Sequence, residues 1–324
     1  MIGSYSVRVS TSRLIYTFTI NRNITILKGD SATGKTTLVE LIREHYESGE
    51  KSGVEIQSKV PCRTLGGRDW SVILPTISGS IVFIDEDNDF LTADEFAAAI
   101  KETDNYYVIV TREGLPNLPY SVDEIYGIHE SGKYNELKKV YNEFYKIYSP
   151  KDVSEIYKLD KIIVEDSNSG FQFFEGITKD NNVSVISASG KSNIYKTIVE
   201  ESGTRLVVAD GAAFGSEMDR ICKLINIDKD IILYLPESFE WLILKSGLID
   251  GNRIKEIIAH PEDYVDSKEY FSWEQYFASL LIKETEGTFL KYSKSKLNDV
   301  YLHEKEKEKI LTAMEKIPQI IPHI

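Results

Sequence analysis

Residues 24–48 set an apolar, β-branched run, Ile24-Thr25-Ile26-Leu27, just ahead of a loop bounded by Gly29 and Gly34. A helix-forming run, TTLVELIREHYE, follows at once, with Leu38, Leu41 and Ile42 on one face. The loop reads Gly29-Asp30-Ser31-Ala32-Thr33-Gly34-Lys35-Thr36 and matches G-x-x-x-x-G-K-[ST] at every position. The chemistry explains the spacing. Glycines let the main chain curl until its N–H groups converge on a phosphate, at a helix N-terminus whose dipole favours negative charge. Lys35 would set a point charge against the β- and γ-phosphates, and the Thr36 hydroxyl would ligate Mg²⁺, with Thr37 completing the binding segment 29–37. A strand, a curled loop and a helix in this order predict an α/β domain that holds a nucleoside triphosphate.

A second run supports that expectation. Ile81-Val82-Phe83-Ile84 ends in Asp85-Glu86, an apolar strand closed by two acids. Asp85 is expected to hold the magnesium through water, and Glu86 to orient or polarise an attacking water. The alternative is that the two acids merely open the next helix, ADEFAAAIKE. The strand YYVIVTRE then brings Thr111 and Arg112 to the same edge, as residues that would sense the terminal phosphate. An adjacent Asp-Glu pair favours hydrolysis over transfer to a small acceptor, because hydrolysis needs a carboxylate to activate water. No LSGGQ-like signature precedes the acidic strand, and no N/T-K-x-D guanine-reading motif follows, so ATP is expected rather than GTP.

Strands are expected at 4–9 and 13–20, ahead of the loop. The stretch from Leu115 to Ser154, with three prolines and many tyrosines, reads as a connector, with a domain boundary near 150. Tyr106, Tyr107, Tyr141, Tyr145 and Tyr148 suit packing at a domain interface, or stacking on bases. Beyond 150 a second alternation begins: KIIVED, GFQFFEGI, VSVISASG, KSNIYKTIVEES, TRLVVADG, FGSEMDRICKLI, DIILYLP. The order is βαβαβαβ, so the expected class is α/β with two parallel-sheet domains, spanning 1–150 and 151–245. Residues 246–324 read as a helical extension. In a parallel sheet the C-terminal strand ends share one crevice, which would bring Glu165 and Asp210 together as a metal site, with Glu217 and Asp219 on the helix beyond.

The second half resembles a Toprim fold, through IIVED with Glu165, ISASGKSNIYK with Gly190, LVVADG with Asp210 and ILYLPESFEWLIL with Glu240. An ATPase followed by a Toprim-like domain resembles the OLD-type (overcoming lysogenisation defect) proteins and related anti-phage systems. That resemblance implies ATP and Mg²⁺ as cofactors, metal-dependent cleavage or binding of nucleic acid, and a role in phage defence or a mobile element. The chain departs from the pattern at one place. Where relatives carry D-x-D it reads Asp210-Gly211-Ala212, so either Glu217 or Asp219 takes the second acid's place or the domain binds without cutting. Asp166 also stands where a glycine is usual. In the second case the chain would be an ATP-driven switch acting through a protein partner.

Charge bears on that choice. The chain carries a net charge of −13, and neither half is basic: 1–150 has 16 basic against 21 acidic residues, 151–324 has 22 against 30. A protein that grips nucleic acid through its phosphates shows a basic surface, so here a local groove, metal ions or a partner would supply the attraction. The charged run HEKEKEKEK is a solvated helix face. No apolar run approaches the roughly 18 residues needed to cross a bilayer, and MIGSYSVRVSTSR lacks an apolar stretch after a basic start. No membrane partner is expected, and the compartment is expected to be the cytoplasm. Cys62 and Cys222 are too far apart for a metal motif and read as inert thiols in a reducing setting. Oligomeric state stays open; ATPases of this kind often complete their site with a neighbour's arginine, which would make a homo-oligomer.

Overall fold

A computed structural model describes residues 1–29, 33–130, 139–148 and 158–314. The chain is α/β throughout and divides into two compact units, Met1–Ser149 with Glu262–Ser272, and Pro150–Pro261 with Trp273–Ile324. The residues past 245 are thus shared between the units rather than set apart as an extension. No helix among the described residues is long and apolar enough to cross a membrane.

The first unit is built on one nine-stranded mixed sheet. Its strands are β1 (Tyr5–Ser10), β2 (Leu14–Ile20), β3 (Ile24–Leu27), β4 (Glu55–Gln57), β5 (Cys62–Thr64), β6 (Ile81–Ile84), β7 (Tyr106–Val110), β8 (Ile125–Glu130) and β9 (Val140–Lys146), in the order β4-β1-β2-β9-β8-β3-β7-β6-β5. From β8 to β5 neighbouring strands run parallel, while β1–β2, β1–β4 and β8–β9 are antiparallel. The sheet is thus mostly parallel, as expected; β2 and β9 also pair in parallel, inside a wing otherwise joined by antiparallel pairs. β3, β6 and β7 are buried along their whole length, which is why they read as unbroken apolar runs rather than alternating ones. β8 and β9 lie inside the stretch expected as a connector. Helices α1 (Lys35–Ser48), α2 (Trp70–Ile73) and α3 (Asp94–Lys101) make the crossovers. Leu38, Val39 and Ile42 of α1 pack with Val7, Tyr16, Phe18, Phe83 and Val108 in the core. Each such side chain contributes about 1.5–3 kcal/mol by leaving water.

The second unit carries a four-stranded parallel sheet, β10 (Lys161–Val164), β11 (Ser184–Ser187), β12 (Arg205–Val208) and β13 (Ile231–Tyr234), ordered β11-β10-β12-β13. It is wrapped by α4 (Ser169–Thr178), α5 (Lys191–Glu200), α6 (Met218–Ile227), α7 (Phe239–Lys245), α8 (Asn252–Ala259), α9 (Trp273–Thr285) and α10 (Glu304–Ala313). The chain runs outward from β10 to β11, then crosses back to β12. The connections therefore diverge between β10 and β12, and a crevice opens at the carboxyl ends of those two strands.

The tyrosines fall out differently from expectation. Tyr106 and Tyr107 are 2% and 1% exposed inside β7, out of reach of any base. Tyr145 instead lies across Gly127 on the paired strand β8, where a Cβ would meet its ring at 2.4 Å. Cys62 and Cys222 form no disulfide, and burial pushes the Cys62 thiol up to about 11, so it stays protonated and unreactive at neutral pH.

Candidate functional site

In the first unit, register collects the expected residues on one edge. Leu27 pairs with Val110 across β3–β7, and Ile84 with Ile109 across β6–β7. Lys28, Thr111 and Asp85 therefore emerge side by side where the three strands end. β7 stands between the loop-bearing strand and the acidic strand, leaving between them a gap one strand wide.

Gly29 and Gly34 both take positive φ, +130° and +85°, a conformation that side chains rarely adopt. Asp30, Ser31 and Ala32 lie outside the described residues. Lys35 opens α1 and is only 7% exposed; its ammonium donates to the Gly29 carbonyl at 2.9 Å and to the Thr33 hydroxyl at 2.8 Å. Lys35 thus ties Gly29 to Thr33. One residue on, the exposed Thr36 hydroxyl donates to Asp85 Oδ1 at 3.3 Å, and the same oxygen accepts the Glu86 N–H at 2.9 Å. Thr37, the next residue of α1, is half-buried. A hydroxyl and a carboxylate at this separation, beside a buried ammonium, form the oxygen donor set that Mg²⁺ takes together with phosphate oxygens. The residues present fit that group.

Glu86 is already engaged. Arg112 Nε donates to both carboxylate oxygens, at 3.0 and 2.9 Å, and Nη2 to Oε1 at 2.7 Å. This fork holds the Glu86 carboxyl below its usual range, chiefly through the hydrogen bonds themselves. The Arg112 side chain is 64% exposed, so the pair is open to competition from other anions. Thr111 is buried and spends its hydroxyl on the turn that follows, donating to the Glu113 carbonyl. Asn88, which no motif marks, ties the acidic loop together by donating to the Asp85 carbonyl at 2.9 Å and accepting the Gly67 N–H at 2.9 Å.

The second unit also gathers carboxylates, though not the set expected. Glu165 Oε2 accepts the Asp210 N–H at 3.0 Å, tying the ends of β10 and β12 together. Gly211 lets this turn press on the β13–α7 connection: its N–H donates to the Pro236 carbonyl at 2.6 Å, and a Cβ would meet the Leu235 carbonyl at 2.7 Å. Ser238 caps α7, accepting the Trp241 N–H, and so places Glu240 in the buried first turn. A cavity of about 20 Å³ results, lined by Glu165, Asp166, Ser169, Asp210, Glu240 and Lys294 among others. It holds one water-sized occupant.

Glu217 is not part of that cavity; it is buried against Arg220. Asp219 follows it on α6 and lines the cavity no more than Glu217 does. Glu240 occupies the place expected of them. Lys294 and Glu274 come from far along the chain and form an ion pair at 2.5 Å, while the Tyr292 hydroxyl donates to Glu240 Oε1 at 2.8 Å. Tyr292 also shares a short hydrogen bond with Ser169. Burial, only partly offset by the Asp210 amide, lifts Glu165 to about 7. Burial and the neighbouring Glu274, Glu165 and Glu240 carboxylates raise Asp210 well above its usual value. Glu240 is raised by burial too, against the pull of Lys294. Among the described residues no three His, Cys, Asp or Glu side chains converge as a metal-ligating set. The cluster as arranged is a buried group of carboxylates with raised pKa values beside the Lys294 ammonium, with Lys191 also acting on Glu165, and it does not fit a preformed two-metal centre.

No family model matches this chain, and no curated protein matches it.

Proposed function

We propose that this protein binds ATP with Mg²⁺ at the Gly29–Thr37 loop and hydrolyses it. In this reading the second, Toprim-like unit engages nucleic acid in a phage-defence or mobile-element setting. The observation that carries the proposal is the meeting of Thr36 with Asp85 at 3.3 Å, beside the buried Lys35 and one residue from Glu86. Thr36 and Asp85 would hold the magnesium, which when bound would neutralise charge on the β- and γ-phosphate oxygens. Lys35 would exchange its contacts with Gly29 and Thr33 for phosphate oxygens. Arg112, exposed and anion-seeking, would turn from Glu86 to the terminal phosphate. Glu86, then released, would accept a proton from the attacking water.

ATP turnover by wild type and Glu86→Gln tests this. Turnover should fall by about 10²–10⁴-fold in the variant, with nucleotide affinity retained. Equal turnover would remove Glu86 from the reaction.

A second reading has its own support. Ala212 stands where a second acid would be, the cavity admits one water-sized occupant, and the crevice carboxylates favour their protonated forms. On that reading the second unit is a non-catalytic element through which ATP occupancy acts on a protein partner. Incubation with supercoiled plasmid and Mn²⁺ separates the two. Nicking that disappears in Glu165→Ala supports cleavage, and no nicking by wild type supports the switch.

A further inference from the structure

Tyr16 sits on β2, in the same wing, and is 2% exposed. Its ring packs in the core with Leu38 and Val39 of α1, but its hydroxyl reaches past them and donates to the Gly34 carbonyl at 3.1 Å. That carbonyl also accepts the Leu38 N–H at 3.0 Å, the first turn of α1. The approach is close enough that a Cβ on Gly34 would lie 2.7 Å from the Tyr16 oxygen. Burial raises the pKa of this hydroxyl, so it remains a donor across the working pH range.

The consequence lies in the geometry of a single peptide unit. The Gly34 carbonyl and the Lys35 N–H belong to the same planar trans amide and point in opposite directions. Two donors holding the oxygen therefore fix the direction of the Lys35 N–H, which on the nucleotide reading is one of the amides that would face a phosphate. A hydrogen bond to the carbonyl also polarises the amide and makes its N–H a stronger donor. Gly34, at φ +85°, has the freedom to let this plane swing; Tyr16 takes that freedom away.

We propose that Tyr16 is a positioning residue for triphosphate binding, acting through the Gly34–Lys35 peptide. The inference rests on the nucleotide reading of the loop and deepens it by adding the β1–β2 wing to the binding machinery. Tyr16→Phe keeps the ring in the core and removes only the hydroxyl. Tyr107→Phe is the matching control, removing an equally buried hydroxyl that bonds to Thr103 at the opposite end of the sheet.

Both variants and the wild type, as full chains, are titrated with ATP–Mg²⁺ and assayed for turnover. Tyr16→Phe should weaken binding and raise KM by about 3- to 10-fold with kcat little changed, the pattern of lost uniform binding. Tyr107→Phe should match the wild type. Unchanged affinity in Tyr16→Phe, or an equal loss in both variants, would overturn the role of Tyr16. Absence of saturable binding by the wild type would instead remove the nucleotide reading beneath it.

Discussion

On the proposed mechanism, the pairing of Arg112 with Glu86 would both prepare the reaction and restrain it. The guanidinium fork keeps Glu86 ionised to lower pH than a free glutamate, yet it also occupies the lone pairs with which a base would take a proton. A depressed carboxyl is lost only as pH falls through its lowered value. Removing the arginine should therefore move the acid limb upward. The prediction is that kcat/KM for ATP, which reports the free enzyme, shows an acid limb displaced to higher pH in Arg112→Ala. An unshifted limb would mean that Glu86 is not the group titrating. The motif residues were legible in the sequence because each is fixed by its neighbours in the chain: glycines for a tight curl, Lys35 and Thr36 at the first turn, Asp85-Glu86 at a strand end. Tyr16 was not, since a tyrosine on an alternating strand gives no sign that its hydroxyl touches a residue eighteen positions on.

At the scale of elements, strands with continuous apolar sequence were readable, and strands with mixed surfaces were not. β3, β6, β7, β10 and β12 are buried, and their sequences say so. β9 reads VYNEFYK and is half-exposed or exposed everywhere except Asn142, and β8 follows a proline-rich stretch, so both passed for a connector. Their pairing is held by cross-strand contacts such as Gly127 with Tyr145, which no local pattern announces. The carboxylates at the ends of β10 and β12 were visible, but Lys294, Glu274 and Tyr292 reach them from more than 60 positions beyond Asp210. Those strand ends carry a pH dependence. Glu165 and Asp210 have raised values in the fold, so their stabilisation is complete below the unfolded value and lost as pH rises through the folded one, about 7 for Glu165. The melting midpoint of the second unit should fall between pH 5 and 8. Asp210→Asn, neutral at every pH, should flatten that fall, and an unchanged slope in calorimetry would contradict the assignment.

For the molecule as a whole, two α/β units and an acidic charge of −13 limit what the chain can do alone. The first unit brings Lys35, Thr36, Asp85, Glu86 and Arg112 to one sheet edge. The second holds a buried cluster of carboxylates whose pKa values are raised, against the pull of Lys294 and Lys191. The claim beneath all of this is that the Gly29–Thr37 loop takes up a nucleoside triphosphate. Equilibrium titration of the intact chain with labelled ATP and Mg²⁺ tests it most directly. The wild type should saturate at one equivalent, and Lys35→Ala should lose at least about tenfold in affinity, because the phosphates lose the fixed cation that would face them. No saturable uptake by the wild type, or undiminished affinity in Lys35→Ala, would contradict the account.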